Sequence, residues 1–272
     1  MSKIVCDICF RHCQLKEGAV GFCRARMNRK GKNVCANYGR ITGIAMDPIE
    51  KKPLKRFYPG TYILSVGSYG CNLACPFCQN WHISMADEKT TRYETVTAVD
   101  LAAIVLKDEA NLGIAFTYNE PMISKEFIID TAVLVKMHGK KVVLVTNGCV
   151  EEHVLKELAP WIDAMNIDLK GDAEFYQELG GSYEMAKHTI VFMHEQCHVE
   201  ITSLIVPGKN DSEDWIREEA QWIASLNPDI PLHITRYFPN WKYDIPATER
   251  DTVYRLKEIA EEYLNYVYVG NV

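Results

Sequence analysis

The chain has 272 residues, 47% of them hydrophobic and 24% charged, with a formal net charge of −6, enough for one barrel-sized domain or one domain with a small appendage. That composition excludes disordered and fibrous classes, and no run approaches the ~18 apolar residues needed to span a bilayer. The opening MSKIVCDICFRHC lacks the apolar core of a signal peptide, which predicts a cytoplasmic protein with no membrane partner.

Residues 1–60 carry a net charge of +9 and the remainder −15, which predicts a separate basic module at 1–60 ahead of an acidic body at 61–272. Eight of the ten cysteines precede residue 79, a placement that points to metal or redox chemistry rather than disulfides. Within the module, Cys6, Cys9, Cys13 and Cys23 supply four thiols in 18 residues, enough to close a tetrahedral zinc site. His12 can replace one thiol, and a second iron–sulfur cluster is the rival reading. The basic residues Arg24, Arg26, Arg29, Lys30 and Lys32 either dock an acidic partner or RNA, or complement the acidic body of the same chain.

From Tyr62 onward, short apolar runs alternate with amphipathic stretches. Strands are predicted at Tyr62–Val66, Ile114–Thr117, Val142–Thr146, Ala164–Asp168, Glu200–Val206 and Leu232–Thr235. Helices are predicted at about 97–112, 123–138, 151–159, 183–196, 212–226 and 248–264. Such alternation means βα units on a parallel sheet. Six units in about 200 residues fit an α/β fold of partial (β/α)6 TIM-like barrel type, with its chemistry at the C-terminal strand ends.

Directly after the first of these strands come Cys71, Cys75 and Cys78, spaced CxxxCxxC on a glycine-bearing loop. A [4Fe–4S] cube normally takes four thiolates, so three local ones leave an iron open to another ligand. A zinc site closed by His82 is the competing reading. Strand alternation also places Asp168 and Lys170 on one face at a later strand end.

The segment Gly70-Cys71-Asn72-Leu73-Ala74-Cys75-Pro76-Phe77-Cys78 resembles the signature of the radical S-adenosylmethionine (SAM) superfamily, in its branch related to pyruvate formate-lyase activating enzymes. The chain as a whole is similar to the AmmeMemoRadiSam system radical SAM enzymes. That likeness rests on the N-terminal cysteines, Asp47-Pro48-Ile49-Glu50-Lys51-Lys52-Pro53-Leu54, Tyr58-Pro59-Gly60-Thr61 and Thr117-Tyr118-Asn119-Glu120-Pro121. The resemblance implies that SAM chelates the open iron beside Phe77 and is cleaved by one electron to a 5′-deoxyadenosyl radical. It further implies SAM contacts at Tyr118, Asn119 and Glu120, where the superfamily has a GGE motif, and at Asp168 and Lys170, which resemble a DxK motif. Thr146 and Asn147 offer a ribose or carboxylate contact, and His233 offers a wall on the substrate side. By branch resemblance the substrate is a backbone glycine of a partner protein, and the electron comes from a flavodoxin or ferredoxin. A small metabolite or RNA is the alternative substrate, and an iron–sulfur/zinc adaptor without chemistry is the non-enzyme alternative.

Overall fold

The computed structural model describes residues 3–272. Its N-terminal part is built from short hairpins. Strand β1 (Ile4–Val5) pairs antiparallel with β2 (Gln14–Leu15), and β3 (Arg26–Arg29) with β4 (Lys32–Cys35). Lys30 and Gly31 close the second hairpin with φ of 54° and 75°, the mirror-image turn that matches strand twist. After β5 (Arg40–Ile41), β6 (Gly43–Pro48) runs antiparallel to β7 (Tyr62–Gly67).

The βα succession follows: α1 (Trp81–Ser84), β8 (Glu94–Thr95), α2 (Ala98–Leu106), β9 (Gly113–Phe116), α3 (Lys125–Lys136), β10 (Lys141–Thr146), α4 (Glu152–Leu158) and β11 (Ala164–Asp168). It continues with α5 (Ala173–Glu178), α6 (Tyr183–Met193), β12 (His198–Ile205), α7 (Glu213–Leu226), β13 (Leu232–Arg236), α8 (Arg250–Glu261) and β14 (Val267–Gly270). One eight-stranded sheet runs in the order β14-β13-β12-β11-β10-β9-β7-β6, parallel from β7 to β14. Its ends do not pair, so the barrel is partial, as the element pattern predicts.

One boundary differs from those expectations. Strand β6 is hydrogen-bonded into the main sheet, so Gly43–Pro48 belongs physically to the barrel although charge groups it with residues 1–60. Arg26, one of the five basic residues offered to a partner, is 2% exposed and pairs with Glu126 on α3 at 2.7 Å. Its charge therefore complements the acidic body of its own chain.

The two faces of the sheet carry different cores. Leu64, Ile114, Phe116, Val142, Leu144, Met165 and Ile167 pack in the main core, to which the helices contribute. The alternate residues Ile63, Ala115, Val143 and Ala164 face a smaller core formed with Ile49, Leu54 and Phe57. Residues 49–57 thus plug the barrel interior. Glu200 locks the plug by accepting from the Lys55 and Arg56 backbone N–H groups at 2.9 and 2.7 Å. Burial alone would raise the pKa of Glu200, yet hydrogen bonds from His198 and His233 hold it down at about 2.

Helix α7 starts at the Ser212 cap, whose Oγ accepts from Trp215 N at 3.1 Å, at the start of the helix predicted over 212–226. The same helix buries Glu219, whose Oε1 accepts from Ser203 Oγ while Oε2 has no partner. Burial pushes this carboxyl up to about 8 from 4.5. A carboxyl held protonated in the fold but ionised when unfolded costs stability as pH rises from about 4.5 through 8. The melting temperature is therefore expected to fall between pH 6 and pH 9. Glu219→Gln should flatten that slope and gain roughly 5 °C or more at pH 9. Parallel slopes for the two proteins in thermal scans would show that Glu219 does not titrate in this range.

Candidate active site

The loop after β7 carries the three clustered cysteines at the C-terminal edge of the sheet. Gly70 opens it at φ 92°, and a side chain there would collide with the Cys23 carbonyl, so only glycine lets the N-terminal part pack this close. The Cys71 sulfur accepts from Leu73 N at 3.4 Å and from Asn147 Nδ2 at 3.7 Å. Burial pushes the Cys75 thiol up to about 11, with Lys170 opposing. Burial, with Glu120 and Cys75, raises the Cys71 thiol well above its ordinary range.

Side chains from distant segments, rather than a strand ladder, hold this loop. Asn119 accepts from Ser68 N at 2.9 Å and donates to Gly70 O at 2.9 Å. Asn147 donates to Asn72 Oδ1 at 2.9 Å, and Asn72 donates to Cys149 O at 2.7 Å. Asn37 reaches Tyr69 O at 2.8 Å. From the N-terminal cysteine segment, Arg11 donates to Asn72 O at 2.7 Å and to Gly180 O at 2.6 Å, its guanidinium 3.4 Å from the Phe22 ring centre. Arg11, Asn37 and Asn72 are absent from the expected site. The available signal was the position of Arg11 inside the Cys9–Cys13 spacing and of Asn72 beside Cys71.

The expected rim residues divide into two groups. Lys170 pairs with Asp168 at 2.7 Å on the predicted common face. Burial opposes the Lys170 charge, yet Asp168 and Cys75 outweigh it and hold the ammonium protonated well above the ordinary lysine range. Phe77 is buried among Phe175, Tyr237 and Tyr243, with ring centres 6.0–6.1 Å away.

The second group is engaged with the chain itself. Glu120 is 2% exposed and accepts from Met122 N, Asn147 N and Thr146 Oγ1 at 2.7–2.9 Å. Burial raises its pKa to about 7 against those donors. Thr146, Asn147, Asn119 and Glu120 therefore brace the loop, where resemblance implies SAM contacts for Asn119 and Glu120 and the strand-end turn offers Thr146 and Asn147 to a ribose or carboxylate. The Tyr118 side chain turns to Asp47, and the hydroxyl donates to Oδ2 at 2.9 Å. His233 bonds Glu200 at 2.6 Å and aligns with Thr202, so it belongs to the plug lock rather than to the rim.

In the N-terminal part, burial raises the Cys6, Cys9 and Cys23 thiols, and Asn33 Nδ2 donates to the Cys6 sulfur at 3.4 Å. Phe22 N donates to the Cys13 sulfur at 3.5 Å. His12 pairs with Glu151 at 3.2 Å, and Cys35 donates to Asn37. Among the described residues, no three His, Cys, Asp or Glu side chains close round a single metal ion. The tetrahedral zinc expected at Cys6, Cys9, Cys13 and Cys23 is thus not shown, nor is a zinc closed by His82 on the second loop. A cube of four irons spreads its ligands wider than one ion does. The thiols of Cys71, Cys75 and Cys78, with an amide donor on the Cys71 sulfur and the Lys170 ammonium near Cys75, fit that larger and anionic group.

The chain belongs to the Radical SAM superfamily, whose sequence profile matches residues 65–223. Membership implies a [4Fe–4S] cluster and SAM, and an enzyme of radical chemistry. The chain is 39% identical to the uncharacterized protein MJ0808 of Methanocaldococcus jannaschii, over 100% of this chain and 82% of that one. It is 26% identical to the pyruvate formate-lyase-activating enzyme of Clostridium pasteurianum, over 72% and 88% of the respective chains. Among solved structures, Streptococcus suis SuiB bound to S-adenosylmethionine shares the fold at a TM-score of 0.58 and 17% identity, over 77% of this chain. This chain spans about half (52%) of SuiB. No described helix is long and apolar enough to cross a membrane.

Proposed function

We propose that Cys71, Cys75 and Cys78 hold a [4Fe–4S] cluster whose open iron takes SAM. When bound, the cluster would supply one-electron reductive cleavage of SAM and, through it, hydrogen-atom abstraction from the substrate. The observation that carries this reading is the Asp168–Lys170 pair lying beside Cys75 at the C-terminal edge of the sheet. Lys170 meets the SAM carboxylate, and Asp168 accepts from its ammonium or ribose. Phe77 and its aromatic neighbours exclude water from one side of the cluster loop.

The proposed substrate is a backbone glycine of a partner protein, a class supported by the likeness to an enzyme named for activating pyruvate formate-lyase. A one-electron donor of flavodoxin or ferredoxin type completes the reaction. An RNA substrate would have to be met without Arg26, which is committed to Glu126. The N-terminal thiols are proposed as a second metal set, supported by the donors on the Cys6 and Cys13 sulfurs from Asn33 and the Phe22 backbone, metal binding drawing the sulfurs together.

The test is anaerobic reconstitution with iron and sulfide, then addition of SAM and dithionite. The expected product is 5′-deoxyadenosine, with deuterium entering it from a glycine-labelled partner. Full cluster absorbance without any 5′-deoxyadenosine would favour the adaptor reading instead.

A further inference from the structure

The motif around Asp47–Leu54 lies far in sequence from the turn at Thr117–Glu120, yet the fold joins them. Tyr118 adopts φ 73°, in the left-handed region where an aromatic side chain is an outlier held only by its surroundings. Three contacts hold it. Its ring lies against Gly67, where an added Cβ would stand 2.7 Å from Tyr118 Cδ2. Its hydroxyl donates to Asp47 Oδ2 at 2.9 Å. Lys52, 3% exposed, donates to the same oxygen at 2.8 Å, with its Nζ 4.9 Å from the ring centre.

This anchor is firm. Burial alone would raise the Asp47 pKa, but Lys52 and Tyr118 hold it down at about 2, so the carboxylate stays ionised at any working pH. Lys51 adds a longer contact at 3.7 Å. The left-handed residue sits in a turn already joined to the cluster loop. Thr117 N donates to Val66 O at 2.9 Å, and Asn119 ties Ser68 and Gly70. A relaxed Tyr118 would therefore shift the cluster loop and the adjoining rim together.

We propose that Tyr118 is a positioning residue, and that its anchorage to Asp47 and Lys52 holds the 117–120 turn in the left-handed form that SAM binding requires. The inference rests on the proposed SAM site. It makes an unusual demand on substitutions, because glycine enters left-handed conformations unaided whereas alanine does not.

The experiment measures the Kd of SAM by anaerobic calorimetry on oxidised, reconstituted protein, with iron content and melting temperature as controls. Tyr118→Phe keeps the ring and loses the anchor, and should bind SAM about tenfold more weakly. Tyr118→Ala should be weaker still. Tyr118→Gly, the larger truncation, should stay within about threefold of the wild type. Asp47→Asn should behave as Tyr118→Phe does, and adding Tyr118→Gly to it should recover binding. Should Asp47→Asn fail to fold because Lys52 loses its partner, the tyrosine series decides alone. Equal affinities throughout, or glycine weaker than alanine, would overturn the anchor while leaving the SAM site intact. A wild type that neither binds SAM nor forms 5′-deoxyadenosine would overturn the site itself, and the anchor with it.

Discussion

Cys75→Ala is expected to abolish 5′-deoxyadenosine formation and to remove the visible absorbance of the proposed cluster. Three local thiols leave no spare ligand, and Cys75 is the buried member of the set. The substitution takes a thiol, not a fold element: the loop backbone is held by Asn119, Asn147, Asn72, Asn37 and Arg11. Circular dichroism and the melting curve of metal-free protein should therefore change little. Elemental analysis reads both proposed metal sets at once. Iron should fall by about four per chain, while metal bound at Cys6, Cys9, Cys13 and Cys23 should remain. Retention of a full cluster would sink the three-thiol assignment, and loss of all metal would show that the two sets are not independent.

The second large effect is at Lys170. Its ammonium is paired with Asp168 at 2.7 Å and lies near the Cys75 thiol, so Lys170→Ala removes the one cation of the pair from a partly buried, otherwise acidic corner. Truncating one partner of a buried, hydrogen-bonded charge pair costs on the order of 2–5 kcal/mol, which corresponds to roughly thirtyfold to a few thousandfold in SAM affinity. The expected result is a cluster of normal iron content with a KM for SAM raised by about that factor. Arginine should not rescue it, since a planar fork does not replace a point charge. An unchanged KM would remove Lys170 from the SAM site.

Sequence periodicity and local spacing carried the reading a long way. Ala164–Asp168 lies within the predicted strand bounds, and the Asp168–Lys170 pair follows from simple alternation two residues apart. The Cys71–Cys78 spacing is likewise local. Pairings across long stretches of chain were not legible. Nothing in Gly43–Pro48 distinguishes a strand hydrogen-bonded to Tyr62–Gly67 from part of a basic module. Val267–Gly270 is a short apolar run after the last predicted helix, and it becomes a strand only because β13 offers it an edge. Glu120 was assigned by resemblance to a motif and His233 by its place on the last predicted strand. Their actual partners, Thr146 and Glu200, lie 26 and 33 residues away. Polar residues at a rim are ambiguous in sequence because bracing a loop and contacting a ligand use the same amides and carboxylates.

The clasp made by Arg11 also orders events in time. Its two acceptors lie at Asn72 and Gly180, 61 and 169 residues further along. During synthesis from the N-terminus, all eight early cysteines emerge before the second acceptor exists, and they must wait for the chain to reach Gly180 before the loop carrying three of them is fully clasped. Late, long-range closure of this kind is slow compared with local folding. Oxidation or capture of the wrong metal can compete for these thiols in that interval, so the supply of iron and sulfide is a condition on assembly as much as on turnover.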